Sequence, residues 1–145
     1  MKVMLDEGAY LPIRAHEEDA GYDLRTPTDF EVTGCKVFGT ACEAGSACID
    51  TGIHFQIPAG CVGMIKSKSG LNVRDNLTAE GVIDAGYTGS IVVKLYNHSF
   101  DEKIFYAGDK IAQLVILPIV TPDIDVVTSL ERTERGDGGF GSTGR

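Results

Sequence analysis

Five short stretches of the chain place polar side chains beside glycines. They are, in chain order, "AGYDL" (20–24), "SKSGL" (67–71), "GVIDAGYTGSI" (81–91), "GDKIAQL" (108–114) and "RGDGGFGSTG" (135–144). In "SKSGL", Lys68, Ser69 and the amide of Gly70 fall within one turn. Small residues with free amides and a nearby cation form nests that bind phosphate groups. This stretch is therefore a candidate phosphate site, and a solvated turn is the alternative.

The residue with the most direct catalytic chemistry is Asp84. It follows an apolar run and precedes a Gly-Tyr turn, so we expect its carboxylate at the end of a strand, facing a cleft. A carboxylate there can hold and polarise a water molecule, and a well-placed general base accelerates a reaction by about a hundred-fold to ten-thousand-fold. The alternative is an aspartate that only caps its own turn.

Other residues in these stretches admit both a functional and a structural interpretation. Tyr87 can exclude a sugar hydroxyl by shape, or it can pack at a strand edge. Gln113 lies in an apolar strand, so its amide needs a partner, either a ligand or neighbouring backbone. Asp23, which precedes a leucine, is typical of a turn or strand end. Asp109 and Lys110 are expected only to shape the turn before their strand.

The last eleven residues, 135–145, contain five glycines. Glycine loses much conformational freedom when it is ordered, so we expect this segment to stay mobile until a ligand orders it. Phe140 can stack on a nucleobase, and Arg135, Ser142 and Thr143 are donors suited to a terminal phosphate. The pattern indicates a lid over a bound ligand, and a frayed terminus is the alternative.

Composition limits the partners and the location. The chain has 145 residues, is 43% hydrophobic and carries a formal charge of -8. This fits one compact domain and argues against binding nucleic acid backbones, which needs clustered cations. No stretch approaches the roughly 18 apolar residues of a membrane span, and the start lacks the pattern of a secretory signal. We expect a cytoplasmic protein that binds neither nucleic acid nor membrane.

The cysteines at positions 35, 42, 48 and 61 form no CxxC pair and match no common zinc-site spacing. Without a secretory signal, the pattern argues against a disulfide framework. We expect free thiols packed in strands.

The elements that position these residues are predicted to be strands. Runs at 51–58, 61–67, 90–97 and 110–120 are rich in Val and Ile and are separated by Gly or Pro. A short helix is expected around 69–74, and a tight hairpin at 58–60. Residues 33–48 are predicted to be a connection with a strand inside it. These short strands and the turns between them predict an all-β sandwich or jelly-roll-like barrel.

Together, in this order and at this spacing, the five stretches resemble the five motifs of the homotrimeric dUTPase family. The resemblance implies a single-domain, all-β, distorted jelly-roll barrel over residues 1–134 and a flexible C-terminal lid over 135–145. It also implies hydrolysis of dUTP to dUMP and pyrophosphate, with Mg²⁺ as cofactor and with active sites shared in a homotrimer. Such an enzyme keeps uracil out of DNA and supplies a precursor of dTTP.

The resemblance also implies roles for individual residues. Asp84 activates the water that attacks the α-phosphorus, and Ser69 bonds the oxygen between the α- and β-phosphates. Tyr87 lies under the deoxyribose, Gln113 touches the α-phosphate, and Asp23 supports the site and its metal-bound water. Mg²⁺ has no direct protein ligand and is held through the substrate phosphates and water.

Substrate contacts are implied along two further segments. The hairpin around 79–83 reads uracil with backbone groups. At the phosphates, Lys68 stands where the family motif usually has arginine, which loses a planar two-pronged donor and keeps the charge. The implied substrate-binding set is Lys68, Gly70, Thr78, Gly81, Val82, Ile83, Tyr87, Gln113, Arg135, Phe140, Gly141, Ser142 and Thr143.

Two other functions stay open at this point. The related dCTP deaminases use a glutamate in the strand after the "GxxG" turn, where this chain has Lys94, so deamination is disfavoured. The second is a regulatory role, in which a phage-type protein keeps the nucleotide pocket to control binding to an unknown protein partner.

Overall fold

The computed structural model describes residues 1–138, which contain twelve strands and one helix. In chain order they are β1 (Lys2–Leu5), β2 (Gly21–Arg25), β3 (Phe30–Val32), β4 (Lys36–Phe38), β5 (Ala41–Glu43), β6 (Gly45–Asp50), β7 (Ile53–Gln56), β8 (Cys61–Lys66), α1 (Ser69–Asp75), β9 (Leu77–Asp84), β10 (Val92–Asn97), β11 (Lys103–Phe105) and β12 (Lys110–Pro118). The expected all-β class is confirmed.

The strands form where buried and exposed side chains alternate. In β10, Val93, Leu95 and Asn97 are buried and alternate with exposed residues, which is the two-residue period of a strand. The inward side chains of several strands meet in one hydrophobic core. Its completely buried members include Leu24, Val32, Ile53, Leu77, Val93, Ile111 and Leu114.

One six-stranded antiparallel sheet carries the residues of interest. Its strand order is β2-β12-β8-β9-β10-β6, and the pairs β1-β7, β11-β3 and β4-β5 flank it. The sheet curls into a half-barrel around the core of a single domain, as the jelly-roll expectation requires. β8 pairs with β9 at residues 80–84, whereas β10 pairs with β9 only at residues 77–79. The β9-β10 hairpin therefore opens beyond Ala79, and the predicted uracil-reading segment lies on one arm of that hairpin.

The helix α1 agrees with the expected helix around 69–74. It ends at Asn76, whose left-handed φ of 52° and backbone bond to Leu71 O stop the helix. No helix within residues 1–138 is long and apolar enough to cross a membrane.

The expected hairpin at 58–60 is wrong. The turn itself forms, since Cys61 N donates to Pro58 O at 3.1 Å and Gly60 has a φ of +76°. However, β7 pairs with β1, and β8 pairs with β9 and β12. Turn chemistry determines the local backbone, but it does not decide which strands pair.

Residues 33–48 contain more structure than one strand. They form the β4-β5 hairpin and the first part of β6. The hairpin brings the Cα atoms of Cys35 and Cys42 to 6.4 Å, and these two cysteines form a disulfide. The expectation of four free thiols is therefore wrong for Cys35 and Cys42. The pairing of β4 with β5 brings these two cysteines close together, and their spacing in the sequence does not indicate this. In the described chain, Cys48 and Cys61 are free.

The chain leaves the sheet after β12 ends at Pro118. Residues 119–138 contain neither helix nor strand. Val120, Ile124, Val126 and Leu130 in this segment are each more than four-fifths exposed. The division into a domain at 1–134 and a lid at 135–145 stays a prediction, and residues 139–145 lie outside the described range.

Candidate active site

Asp23 is a buried carboxylate between two lysines. Its side chain is 7% exposed, and its two oxygens accept hydrogen bonds from Lys68 Nζ and, at 2.6 Å, from Lys110 Nζ. Burial alone would raise the pKa of Asp23, but the hydrogen bonds and charges of the two lysines hold it below the ordinary value. We call Asp23, Lys68 and Lys110 the lysine-aspartate cluster. One negative and two positive side chains give this cluster a net positive charge.

Lys110 reaches the cluster because of a β-bulge. In the pairing of β2 with β12, Ile111 is an extra residue that has no opposite partner. Side chains alternate along a strand, so the extra residue turns Lys110 to the face that carries Gln113 and Asp23. The expectation that Lys110 only shapes a turn is wrong. Asp109 does shape the turn, since its side chain accepts a hydrogen bond from Tyr106 N at 2.9 Å.

Gln113 and Ser67 lie beside the cluster. Gln113 is opposite Asp23 in the strand pairing, and its Nε2 donates to Ser67 O at 3.0 Å. Ser67 Oγ in turn accepts a hydrogen bond from Ala79 N at 2.9 Å. Gly21 packs directly on the Gln113 side chain, and a Cβ at this position would overlap the amide oxygen. The amide is therefore held in one orientation next to Asp23 by backbone on two sides.

Ser69 and Gly70 begin α1 immediately after Lys68. The first intrahelical bond runs from Asn72 N to Lys68 O at 2.9 Å. The preceding amides have no acceptor within the helix. One end of the sheet thus gathers most of the predicted phosphate-side residues: Asp23, Lys68, Ser69, Gly70 and Gln113.

The lysine-aspartate cluster predicts a pH effect on folding. Because the folded-state pKa of Asp23 is lowered, its contribution to stability is present above pH 3.8 and is lost as pH falls through the lowered pKa. At pH 6 we expect Asp23→Asn to reduce the free energy of unfolding by about 1–3 kcal/mol. The difference from the unaltered protein should shrink as pH falls toward 3. Urea unfolding at a series of pH values measures this difference.

Asp101→Asn is the matched control for this measurement. The Asp101 side chain is exposed, so its replacement should change stability little at any pH. A difference between Asp23→Asn and the unaltered protein that stays constant from pH 6 to pH 3 would show that the charge of Asp23 is not what stabilises the fold.

Asp84 lies at a different place, at the rim of a cleft. It is the last residue of β9, and its side chain is exposed. The cleft has a volume of about 220 Å³ and is lined by Val82, Ile83, Asp84, Tyr87, Ser90 and Val92. We call it the Asp84 cleft. Whole small-molecule sites usually occupy about 300–1,000 Å³, so one chain offers room for only part of a ligand.

The turn after Asp84 holds Tyr87 at this cleft. Tyr87 N donates to Asp84 O at 3.0 Å, and Tyr87 Oη donates to Ser90 O at 2.9 Å. The ring lies over Gly89, where a Cβ would come within 2.5 Å of the Tyr87 hydroxyl. Only glycine at position 89 leaves room for this ring position, and the ring and the Asp84 carboxylate line the same cleft.

The lysine-aspartate cluster and the Asp84 cleft do not meet within one chain. Ser67, which precedes Lys68, is bonded to Ala79, and Asp84 is five residues farther along β9. At about 3.3 Å per residue, the separation along the strand is about 17 Å. Asp84 and Ser69 of the same chain therefore lie too far apart to act on one phosphorus atom.

Two of the remaining predicted residues lie on β9 away from the cleft lining. Thr78 Oγ1 forms a hydrogen bond with His98 Nε2 at 2.8 Å and is six residues from Asp84. Gly81 faces Ile65 on the inner side of the sheet.

Of the predicted C-terminal residues, only Arg135 is described. Its Nε donates to Gly138 O at 2.9 Å within a turn. The others, Phe140, Gly141, Ser142 and Thr143, lie outside the described residues.

The family model described as dUTPase matches residues 7–144. This chain belongs to the dUTPase family. A curated relative from Paramecium bursaria Chlorella virus 1, named deoxyuridine 5'-triphosphate nucleotidohydrolase, is 41% identical over 97% of this chain and 94% of its own length. A relative of the same name from Arabidopsis thaliana is 42% identical over 97% of this chain and 80% of its own length. The predicted family is confirmed.

Solved dUTPase structures have the same fold. The Staphylococcus bacteriophage 80alpha dUTPase with dUPNHPP has a TM-score of 0.86 and 30% identity, covering 99% of this chain and 98% of that one. A mutant dUTPase from phage phi11 of S. aureus, described in terms of a structural Mg(II) ion, has a TM-score of 0.78 and 29% identity. It covers 90% of this chain and 98% of its own. The likeness extends over nearly the whole chain in both cases.

Proposed function

We propose that this dUTPase family member is a dUTP diphosphatase that hydrolyses dUTP to dUMP and pyrophosphate, with Asp84 activating the water that attacks the α-phosphorus. Family membership and relatives of about 40% identity support the enzyme class. The observation that carries the mechanism is the exposed carboxylate of Asp84 at the rim of a cleft, beside the ring of Tyr87. The reaction removes a source of uracil in DNA and supplies dUMP as a precursor of dTTP.

The Asp84 cleft is proposed to take the deoxyuridine. Beyond Ala79, β10 no longer pairs with β9, so backbone groups on that edge of β9 can bond the uracil ring. Tyr87 presents an apolar face to the sugar, and a 2'-hydroxyl there would lose its water without gaining a partner. This arrangement favours deoxyribonucleotides over ribonucleotides.

The lysine-aspartate cluster is proposed to take the phosphates. The chain carries a charge of -8, so a triphosphate is repelled unless it meets a local positive charge, which the cluster provides. Lys68 can turn toward a phosphate because Lys110 still neutralises Asp23 after Lys68 leaves. Ser69 then donates to the oxygen between the α- and β-phosphates, where charge develops on the leaving group.

We further propose that the active site is shared within a homotrimer. The separation of about 17 Å along β9 means that the Asp84 cleft of one chain needs the lysine-aspartate cluster of another. The exposed apolar residues at 120–130 also need a partner surface, because exposed apolar segments of this kind mark interfaces. The segment 135–145 is proposed to close over the nucleotide as a lid.

Mg²⁺ is proposed to arrive with the triphosphate. Within residues 1–138, no cluster of three or more His, Cys, Asp or Glu residues could hold a metal ion. Both oxygens of Asp23 already accept hydrogen bonds from lysines. These residues therefore suit an Mg²⁺ ion that is coordinated by phosphate oxygens and water, which is how nucleotide sites usually bind this ion. The ion would offset the charge of the triphosphate, with Asp23 supporting the surrounding water.

Pyrophosphate release tests the proposed function. The purified full chain with Mg²⁺ is expected to hydrolyse dUTP, and kcat/KM for UTP and dCTP should be lower by about a hundred-fold or more, because each leaves buried polar groups unpaired. If dUTP remains intact, the proposed function is wrong. Equal turnover of UTP would contradict the role of Tyr87.

A regulatory role is the second candidate. The description of the bacteriophage 80alpha structure states that phage dUTPases control transfer of virulence genes. For this chain, such a role would be supported by tight nucleotide binding without turnover. Turnover of dUTP by the unaltered protein supports catalysis as the main function.

Deamination of dCTP stays disfavoured. Lys94 occupies the position at which the deaminase resemblance requires a glutamate, and its Nζ lies 4.9 Å from the centre of the Tyr96 ring. An ammonium group there cannot replace a catalytic carboxylate. Release of ammonia from dCTP would overturn this conclusion.

A further inference from the structure

His54 on β7 connects two parts of the protein that lie far apart in the chain. Its Nδ1 is 2.9 Å from the carbonyl oxygen of Thr88, in the turn after Asp84. Its Nε2 is 3.2 Å from Asp6 Oδ2, just after β1. The imidazole is 18% exposed, so water has limited access to compete for these two bonds.

Both partners of His54 are hydrogen-bond acceptors. A carbonyl oxygen and a carboxylate oxygen offer no proton, so each needs an N-H group from the ring. Neutral imidazole has one N-H group, and only the imidazolium has two. The observed geometry therefore requires protonated His54 to satisfy both bonds.

The turn that His54 contacts is the turn that holds Tyr87. Residue 91 is fastened to the sheet, since Ile91 N donates to Ile53 O at 2.8 Å. Ser90 is fastened by its hydroxyl to Asp50. Ala85 at the start of this turn packs against the hydrophobic core. Within the described residues 85–89, the hydrogen bond between His54 and Thr88 O is the one hydrogen bond to another strand.

We propose that protonated His54 is a positioning residue that clamps the 85–89 turn to β7, and thereby makes the affinity for the nucleotide depend on pH. The proposal rests on the proposed function, because it takes Tyr87 to lie under the sugar of the nucleotide. His54 itself touches neither the reacting atoms nor the nucleotide. It acts through the main chain of Thr88.

The charged groups around His54 come from every element packed on it. Asp6 follows β1, Lys2 lies on β1 across the same surface groove, and Asp50 ends β6. The bonds to Thr88 O and to Asp6 raise the pKa of His54 above its ordinary 6.5. The clamp therefore has both of its hydrogen bonds below pH 6.5. As pH rises through the raised pKa, one of the two bonds is lost, and the single remaining N-H group is shared between Thr88 O and Asp6.

The test compares KM for dUTP in the unaltered enzyme and in His54→Gln between pH 6 and pH 9. A glutamine does not titrate in this range. We expect KM of His54→Gln to exceed that of the unaltered enzyme by about threefold to tenfold at pH 6, with this ratio falling toward one as pH rises to 9. Titration of the substrate and of other groups affects both enzymes equally, so it cancels in the ratio of the two KM values. The kcat of His54→Gln should differ little from that of the unaltered enzyme.

Two further variants keep the result specific. His16→Gln removes an exposed histidine that contacts only Asp19, and its KM ratio should stay near one throughout. Asp6→Asn removes the negative charge that favours the protonated ring, so the pH at which KM rises should move to lower values. A loss of stability alone would not move this pH.

The nuclear magnetic resonance spectrum of the protein without nucleotide separates the possible outcomes. Amide signals of residues 85–89 should titrate together with the ring signal of His54. This inference is overturned if dUTP is hydrolysed but the KM ratio is the same at all pH values. It is also overturned if the amide signals of residues 85–89 do not titrate together with the ring signal of His54. If dUTP is neither bound nor hydrolysed, the proposed function fails and this inference fails with it.

Discussion

Asp84→Asn is expected to lower kcat for dUTP hydrolysis by about a hundred-fold to ten-thousand-fold, with nucleotide binding retained. An asparagine has nearly the same size as the aspartate, so the Asp84 cleft keeps its shape, but the amide cannot take a proton from water. Pyrophosphate release gives kcat, and calorimetric titration with the non-hydrolysable analogue dUpNHpp gives the affinity.

The control for this variant is Asp101→Asn, which also removes one negative charge from an exposed position. It should leave kcat unchanged. A fall in affinity of Asp84→Asn that is as large as the fall in kcat would mean that the carboxylate contributes to binding rather than to activating water.

Two inactive variants are expected to restore activity when they assemble together. One chain carries Asp84→Asn, and the other carries both Lys68→Ala and Ser69→Ala. If the Asp84 cleft of one chain works with the lysine-aspartate cluster of the next chain in a closed trimer, every mixed trimer has one site in which both groups are intact. Mixed trimers are therefore expected to show about a third of the unaltered activity.

This experiment distinguishes shared sites from sites within one chain. In the latter case no site in the mixture has both intact groups, and activity stays at the level of the separate variants. The chains must be co-expressed and purified by two different tags, so that every particle contains both. Co-expression of each variant with itself is the control, and mixed assemblies without recovered activity would contradict the shared site.

Much of the fold follows from local sequence patterns. The runs of Val and Ile at 51–58, 61–67, 90–97 and 110–120 each contain a strand, and the single described helix lies where it was predicted. These features depend on side-chain alternation and on the turn residues between them, which act over a few positions. Strand pairing depends on contacts between distant residues. This is why the hairpin predicted at 58–60 was wrong and why the disulfide between Cys35 and Cys42 was not predicted.

In the candidate site too, features set by neighbouring residues were predictable, whereas features set by contacts between distant residues were not. Asp84 lies at the end of a strand and at a cleft, as its flanking residues indicate. The family motifs identify Asp23 and Gln113, but the sequence around Lys110 indicates only a turn. Its contribution depends on the extra residue in β12, and a bulge has no reliable signal in a single sequence. His54 lies outside all five motifs, and only the folded chain shows its two acceptors.

The bulge at Ile111 also makes the site depend on the register of β12. If Ile111 paired opposite Arg25, β12 and β2 would pair continuously, with their ladder of main-chain hydrogen bonds intact. Lys110 would then be shifted by one position, its ammonium group would emerge on the opposite surface of the sheet, and Asp23 would keep a single counterion. In this region a slip of one residue can thus be more harmful to chemistry than many substitutions, even though it leaves every motif residue in the chain.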